Sequence, residues 1–399
     1  MLAATVRVTR DIDVAEECVQ DAYARALASW PTTGIPTKPG AWLTTVARRR
    51  ALDLARRGST HDRALPLLVE ERVAAGPGEV DLPDIADDRL RLIFTCCHPA
   101  IATDAQVALT LRLLCGLTTA EVARAFLVNE PTMAARITRA KKKIAVARIP
   151  YRLPPAEELP SRIDSVLTVL HLLYTTGHTA PAGGDLIRRD LVERSLDLAR
   201  LLRTLLPTDA DVAGLLALIL LTDARRATRV GKDGQLVLLA DQDRGRWDQS
   251  AIREGIMLVR EALGRRPPGR FALMAAIAAV HAQAPSWDAT DWREILGLYD
   301  LLVTIWPSPV VALNRAVAVG LADGPAAGLV ALDALADEPL LATYSYLASA
   351  RADFLGRLGR TSEARVAYQE ALLFSDNAVE RAFLADRLSK VGSEESDDR

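Results

Sequence analysis

The chain has 399 residues, of which 50% are hydrophobic and 25% charged, and its formal net charge is -2. This composition excludes a wholly disordered chain, and the length predicts at least two domains because single cores rarely grow beyond about 250–300 residues. Four cysteines confined to the first third argue against a disulfide framework, and no apolar run approaches the ~18–20 residues of a membrane span. Since the start shows no signal-peptide pattern, we expect a soluble, cytoplasmic protein.

Apolar residues recur at three- and four-residue spacings along nearly the whole chain, which predicts an all-α fold. Basic residues exceed acidic ones in residues 1–150, and the balance reverses in the remainder. The positive charge is clustered in two places, at residues 48–57 and 136–143. Clusters of this kind, and not the net charge, indicate a nucleic-acid surface.

The first clear helix is predicted at about 14–29, and we expect it to end at Trp30-Pro31 because a residue before proline is disfavoured in a helix. A second helix at about 41–57 carries Leu43, Ala47 and Leu54 on one face. Arg50 falls on that apolar stripe, so we expect a packed or ion-paired arginine there and not a DNA contact.

Residues 104–144 carry the most specific pattern, three helices with a tight connection between the second and the third. Thr118 and Glu121 form a capping box that opens the short middle helix. After a turn at 127–129, Asn129 or Glu130 caps a longer helix that tolerates a proline in its first turn. Its buried stripe is expected to consist of Met133, Ile137, Ala140 and Ile144. The spacing predicts a helix-turn-helix.

The outer face of the third helix has the residue types that DNA recognition requires. A helix in the major groove contacts base edges with its first residues, while later basic residues bind phosphates. Arg136 is the best candidate for a bidentate contact to guanine, and Arg139 with Lys141–Lys143 for phosphate contacts. The candidate DNA-binding residues are Thr132, Ala134, Ala135, Arg136, Arg139, Lys142 and Lys143. The alternative is a structural helical hairpin with a solvated basic face.

Two parts of the chain, in this order, resemble the bacterial extracytoplasmic-function sigma factors of RNA polymerase. Residues 13–26 (DVAEECVQDAYARA) and 41–57 (AWLTTVARRRALDLARR) resemble region 2, and residues 116–144 (GLTTAEVARAFLVNEPTMAARITRAKKKI) resemble region 4. Three further segments resemble the subgroup with a long tetratricopeptide-like (TPR-like) C-terminal extension: LRLIFTCCHP at 90–99, YRLP at 151–154 and DQDRGRW at 241–247.

The resemblance implies an initiation factor that binds core RNA polymerase and promoter DNA. Glu17, Gln20 and Asp21 match its polymerase-binding surface; the plain alternative is a solvated helix N-terminus, where the helix dipole favours acids. Trp42 matches the aromatic residue of the promoter-melting segment, and the equal alternative is a core position. The arginines that match the strand-contacting helix are Arg48, Arg49, Arg56 and Arg57. Stacking and positive charge together suit an unpaired DNA strand.

The resemblance divides the chain into region 2 at 1–63, a linker at 64–85, region 4 at 86–150, a TPR-like helical extension at 151–388 and an acidic disordered tail at 389–399. Region 2 is expected to be N-terminally short, because family members carry a further helix before the segment that begins here at Met1. One degenerate repeat is expected in the extension, with small and aromatic residues at Ala352, Gly359, Ala364, Tyr368 and Ala371.

Two polar segments have alternative interpretations. Residues 230–247 form either a docking or ligand loop or a buried polar network, and we favour the network. Cys96, Cys97 and His98 lack the second ligand pair that zinc usually takes, which favours buried structural cysteines. Because the five histidines are scattered and no nucleophile or phosphate-loop motif occurs, we expect no catalytic residue, no metal and no cofactor.

Two functional hypotheses remain. The first is a sigma factor whose extension regulates it in cis and offers a surface for a protein or peptide partner. The second is a helix-turn-helix transcriptional regulator with a ligand- or peptide-sensing TPR-like domain that never joins polymerase. The region 2 pattern favours the first, since such a regulator has no use for an acidic helix followed by a Trp-bearing, arginine-rich helix.

Overall fold

The computed structural model describes residues 1–59, 82–126, 128–155 and 157–397. Within these ranges it has eighteen α-helices and two strands of two residues each, which confirms the all-α prediction. No helix in the described ranges has the length and apolar character needed to cross a bilayer. The contacts divide the chain into two compact units, unit 1 at Met1–Val169 and unit 2 at Leu170–Arg399.

Unit 1 begins with three helices that pack on one another and whose small side chains allow close approach. Ala22 and Ala26 of the second helix pack with Leu43 and Ala47 of the third in one buried cluster. The helices of this unit are α1 (Leu2–Thr9), α2 (Ile12–Thr33), α3 (Pro39–Ser59), α4 (Leu82–Cys96), α5 (Thr103–Leu113), α6 (Thr119–Ala125), α7 (Glu130–Val146) and the first half of α8 (Pro160–His178).

One expected helix boundary is wrong, and one helix extends into the segment expected as the tail. Helix α2 does not stop at Trp30-Pro31 but continues to Thr33. Pro31 lies in the last turn, so any kink that its ring causes affects only the two residues that follow it. Gly34, with φ of 81°, then ends it. At the other end of the chain, α18 continues to Asp397, which differs from the disordered tail expected at 389–399.

The predicted linker at 64–85 lies largely outside the described residues, since α4 begins at Leu82. The predicted start of the extension, residue 151, differs from the contact-based division, which falls within α8. Residues 147–155 and 157–159 are not helical, as the prolines in this segment predict.

From α9 onward, each helix of unit 2 packs against the next in the chain, and α10 also packs against α12. They are the second half of α8, α9 (Arg189–Leu205), α10 (Ala210–Asp223), α11 (Gln249–Ala262), α12 (Arg270–Gln283), α13 (Trp292–Ile305), α14 (Pro309–Ala322), α15 (Pro325–Asp333), α16 (Ser345–Arg357), α17 (Thr361–Phe374) and α18 (Ala378–Asp397). The strands β1 (Ala182–Gly183) and β2 (Asp376–Asn377) pair in parallel. The buried Asn377 side chain donates to the carbonyls of Ala180 and Asp185 at 3.0 and 2.9 Å.

Candidate functional site

Helices α6 and α7 have the end chemistry that the sequence predicts. The Thr118 hydroxyl accepts from the Glu121 amide at 3.2 Å, and the Glu121 carboxylate accepts from the Thr118 amide at 2.7 Å. Asn129, and not Glu130, caps α7, since its side-chain oxygen accepts from the Thr132 amide at 2.9 Å. These caps confirm the capping box and fix where α7 begins.

The buried stripe of α7 is the predicted one. Its members, all buried, are Met133, Ile137, Ala140 and Ile144. The predicted DNA-binding residues that are exposed on the outside of α7 are Thr132, Ala134, Ala135, Arg139, Lys142 and Lys143. Small residues in the first turn and cations in the later turns suit a helix that enters the major groove.

Arg136 differs from the other predicted DNA-binding residues because it has contacts within the chain. Its guanidinium lies over the Phe126 ring, 5.7 Å from the ring centroid, and Nη1 is 3.6 Å from a carboxylate oxygen of Asp104 in α5. The side chain is 23% exposed. A bidentate contact to guanine therefore requires Arg136 to leave Asp104.

Lys141 faces α2. Its amino group donates to Asp13 at 3.0 Å and to Glu16, both in α2. Burial lowers the pKa of Lys141, but the carboxylates of Glu16 and Asp13 outweigh it, so the net pKa is raised. The expectation that Lys141 contacts phosphate does not fit this geometry, because its ammonium is committed to the two carboxylates.

Of the predicted polymerase-binding residues, two are exposed and one is paired within the chain. Glu17 and Gln20 are exposed on α2. Asp21 is half-buried and accepts from Nε of Arg50 at 2.9 Å, which confirms that Arg50 is paired. The Asp21 carboxylate is therefore partly neutralised within the chain.

Sequence analysis missed two exposed apolar residues beside this acidic face. Tyr23 is 51% exposed and Leu27 is 78% exposed. With Gln20 they stand three and four residues apart, so the three side chains share one face of α2. The exposure of Tyr23 and Leu27 could have been predicted from the sequence, because both residues lie outside the buried stripe of α2 that contains Ala22 and Ala26.

Trp42 is half-buried and packs in the cluster of Ala22, Ala26, Leu43 and Ala47, with its ring 5.5 Å from that of Trp30. Trp42 is packed in this cluster and yet partly accessible. Its position is therefore compatible both with a core role and with a role in promoter melting. Of the arginines on α3, Arg49 and Arg56 are exposed and Arg48 is half-buried; the side chain of Arg57 lies outside the described part of the structure.

The segment LRLIFTCCHP forms part of the hydrophobic core of unit 1. Leu92, Ile93, Phe94 and Cys96 are fully buried, and burial raises the pKa of Cys96 to about 12. All four cysteines are free and buried. Across the described residues, no group of three His, Cys, Asp or Glu side chains is arranged to hold a metal.

In the YRLP segment, Tyr151 has a structural role. Its buried hydroxyl lies 2.7 Å from the carbonyl oxygens of both Ala3 and Asp88, so it joins α1 to α4. Arg162 similarly donates to the carbonyl of Phe94 at 3.2 Å. Both residues, although predicted to lie in the extension, belong to the core of unit 1.

The segment DQDRGRW takes part in a buried polar network. The indole NH of Trp247 donates to the Thr228 hydroxyl at 3.0 Å, and that hydroxyl lies 3.1 Å from the side-chain oxygen of Gln242. Arg244 donates to the carbonyls of His281 and Ala284 at 2.5 and 2.8 Å. These contacts support the network interpretation of residues 230–247.

Three family models match the chain. They are Sigma-70 region 2 at residues 2–60, Sigma-70 region 4 at 91–144, and a family of unknown function at 162–263. An uncharacterized protein of Rhizobium meliloti (strain 1021) is 40% identical over 398 residues, covering 98% of this chain and 93% of the relative. Sigma factors catalyse no reaction themselves; their two regions bind polymerase and promoter DNA. The chain therefore belongs to the sigma-70 family, as an extracytoplasmic-function type sigma factor with a C-terminal extension.

Proposed function

We propose that this chain is an alternative sigma factor that directs core polymerase to its own set of promoters, and that its extension regulates it in cis. The observation that carries the proposal is the exposed outer face of α7, which has small residues first and Arg139, Lys142 and Lys143 later. In this role Ala134 and Ala135 permit close approach to the bases, and the three cations bind phosphates.

The second interface is the face of α2 that holds Glu17, Gln20, Tyr23 and Leu27. An exposed apolar pair beside acidic and amide side chains is typical of a protein-binding surface. We assign this face to core polymerase, with Asp21 contributing after exchange of its partner Arg50. Trp42 and the exposed arginines of α3 would then stack on and bind the unpaired strand.

The extension has features of a TPR-like solenoid, although it is irregular. Helices α16 and α17 bury Ala352, Ala364, Tyr368 and Ala371 against each other, and Gly359 turns the chain between them with φ of 72°. Stacks of helical pairs present long surfaces that suit a protein or peptide partner. We propose that such a partner, or a small ligand, acts on the extension to set the activity of the sigma regions.

The test is transcription with purified core polymerase and the full-length protein. We expect Glu17→Lys and Leu27→Asp each to weaken co-purification with core, while Glu157→Lys, an exposed charge reversal before α8, leaves it intact. Arg139→Ala should retain core binding and lose promoter output. If the wild-type chain neither binds core nor directs initiation, the sigma proposal fails and the regulator hypothesis replaces it.

Regulation in cis is tested by removing the extension after Val169, because Tyr151 and Arg162 belong to the core of unit 1. Circular dichroism first establishes that the shortened chain is folded. We expect its promoter output to differ from that of the full chain; equal output would contradict regulation in cis.

A further inference from the structure

Unit 2 contains a cavity of about 260 Å³ whose walls come from α10, α12, α13, α14 and the segment around DQDRGRW. Most of its walls are apolar, including Leu218, Trp247 and Ile277. At about 30 Å³ per water, it has room for roughly nine water molecules. That is the size of a small metabolite, close to the lower end of ordinary ligand pockets.

Arg225 lines this cavity at the end of α10. Among the residues that the structure describes, its guanidinium makes no hydrogen bond and no ion pair. Burial lowers the pKa of Arg225 and the nearby Arg244 adds to this effect, while Tyr174 opposes it in part. A largely buried arginine costs stability unless an anion or acceptor compensates it, so this side chain lacks the partner that its position requires.

Two further polar groups, one in the cavity wall and one beside it, are unsatisfied. Nδ1 of His281, which also lines the cavity, and Nη2 of Arg244 are buried without a hydrogen-bond partner in the described structure. Burial, with Arg225 and Arg244, lowers the pKa of His281 to about 4, so its ring is neutral at pH 7. Buried polar atoms without partners are rare in folded proteins, so His281 and the unpaired Arg225 guanidinium in the same cavity indicate a missing ligand.

We propose that this cavity binds a small organic monoanion, a carboxylate with an apolar body, whose charged group pairs with Arg225. One guanidinium, that of Arg225, lines the cavity and matches one negative charge, whereas Arg244 lies outside the lining and donates to two carbonyls. A guanidinium and a carboxylate form two parallel hydrogen bonds, and Asn314 on α14 offers a further polar contact. The apolar walls would hold the body of the ligand.

Binding at this site does not depend on the sigma activity, and it can be measured on the protein alone. If the ligand does regulate transcription, the DQDRGRW segment is positioned to transmit its binding. Trp247 forms part of the cavity wall, and Arg244 donates to a carbonyl at the end of α12.

The test is isothermal titration of the full-length protein with acetate, hexanoate and benzoate, and with benzamide as the uncharged match of benzoate. We expect at least one carboxylate to bind and benzamide not to. Arg225→Gln should weaken the best carboxylate by about 10- to 100-fold, the loss of one charge-assisted pair. Arg246→Gln, which removes an exposed charge from the same loop, is the matched control and should bind as the wild type does.

Ala278→Leu provides a second variant, because it fills the cavity without changing charge and should also abolish binding. The proposal is overturned if none of the three carboxylates binds, if benzamide binds as well as benzoate, or if Arg225→Gln binds like Arg246→Gln. Tighter binding of inorganic phosphate than of every carboxylate would likewise overturn it.

Discussion

Replacing Lys141 by glutamine tests the contact between α2 and α7. The side chains of Lys141 and Glu16 are 17% and 21% exposed, whereas Asp13 is 73% exposed. Exposed ion pairs contribute about 0.2–1 kcal/mol, and breaking a buried pair costs about 3–5 kcal/mol. The partly buried pair with Glu16 lies between these limits, so we expect Lys141→Gln to destabilise this contact by about 1–2 kcal/mol, or roughly 5- to 30-fold in the opening equilibrium.

Hydrogen exchange of the full chain measures this locally, because peptides from α2 and α7 report on unit 1 without interference from unit 2. The matched control is Lys142→Gln, which removes an exposed lysine from the next position of α7. In a Glu16→Gln background the effect of Lys141→Gln should shrink to a few tenths of a kcal/mol, since only the exposed pair with Asp13 remains.

The stabilisation that Lys141 provides depends on pH in a definite direction. The pKa of Lys141 is raised in the folded chain, so its stabilisation is complete below the unfolded pKa of about 10.4 and is lost only as the pH rises through the folded value. Equal exchange in Lys141→Gln and Lys142→Gln at neutral pH would refute the reasoning.

Three further predictions concern other contacts. Asp104→Asn removes the carboxylate beside Arg136 and should strengthen binding to a promoter fragment by about two- to fivefold in a fluorescence anisotropy titration; unchanged affinity would argue against a DNA role for Arg136. Tyr151→Phe removes the hydroxyl that serves two buried carbonyls, so exchange protection of α1 and α4 should fall by about 1–3 kcal/mol, while unaltered protection would contradict the assigned role. Burial lowers the pKa of His171 and His281 to about 4, so unit 2 should lose stability as the pH falls from about 6.5 towards 4, by up to about 1.4 kcal/mol per pH unit for each histidine. His281→Gln should flatten this slope in urea unfolding at pH 7, 6 and 5, and an unchanged slope would exclude that histidine as a source.

The helix-turn-helix could be predicted from sequence because its determinants are local. Thr118 and Glu121 are three residues apart, Asn129 caps the helix that it precedes, and the stripe of α7 follows helical periodicity. The same locality makes Tyr23 and Leu27 recoverable in principle, since their exposure follows from the position of the buried stripe on α2.

The partners of Arg136 and Lys141 could not be predicted in this way. Asp104 lies in α5, and Asp13 and Glu16 lie in α2, so the pairings depend on how helices distant in the chain pack together. The cavity around Arg225 is likewise tertiary, because its walls come from residues as far apart as Leu218 and Asn314. A sequence shows which residues carry charge, but the packing decides which charges remain available.

The parallel pairing of β1 with β2 joins the two ends of unit 2. In a linear helical array the terminal helices fray first, because each has only one neighbour. Here Asn377, next to α18, is bonded to Ala180 and Asp185 ahead of α9, so the segment before the last helix is tied to the segment before α9. This tie gives the C-terminal end of the array a second attachment, so a partner that pulled Asn377 away with α18 would also remove the bonds that hold Ala180 and Asp185.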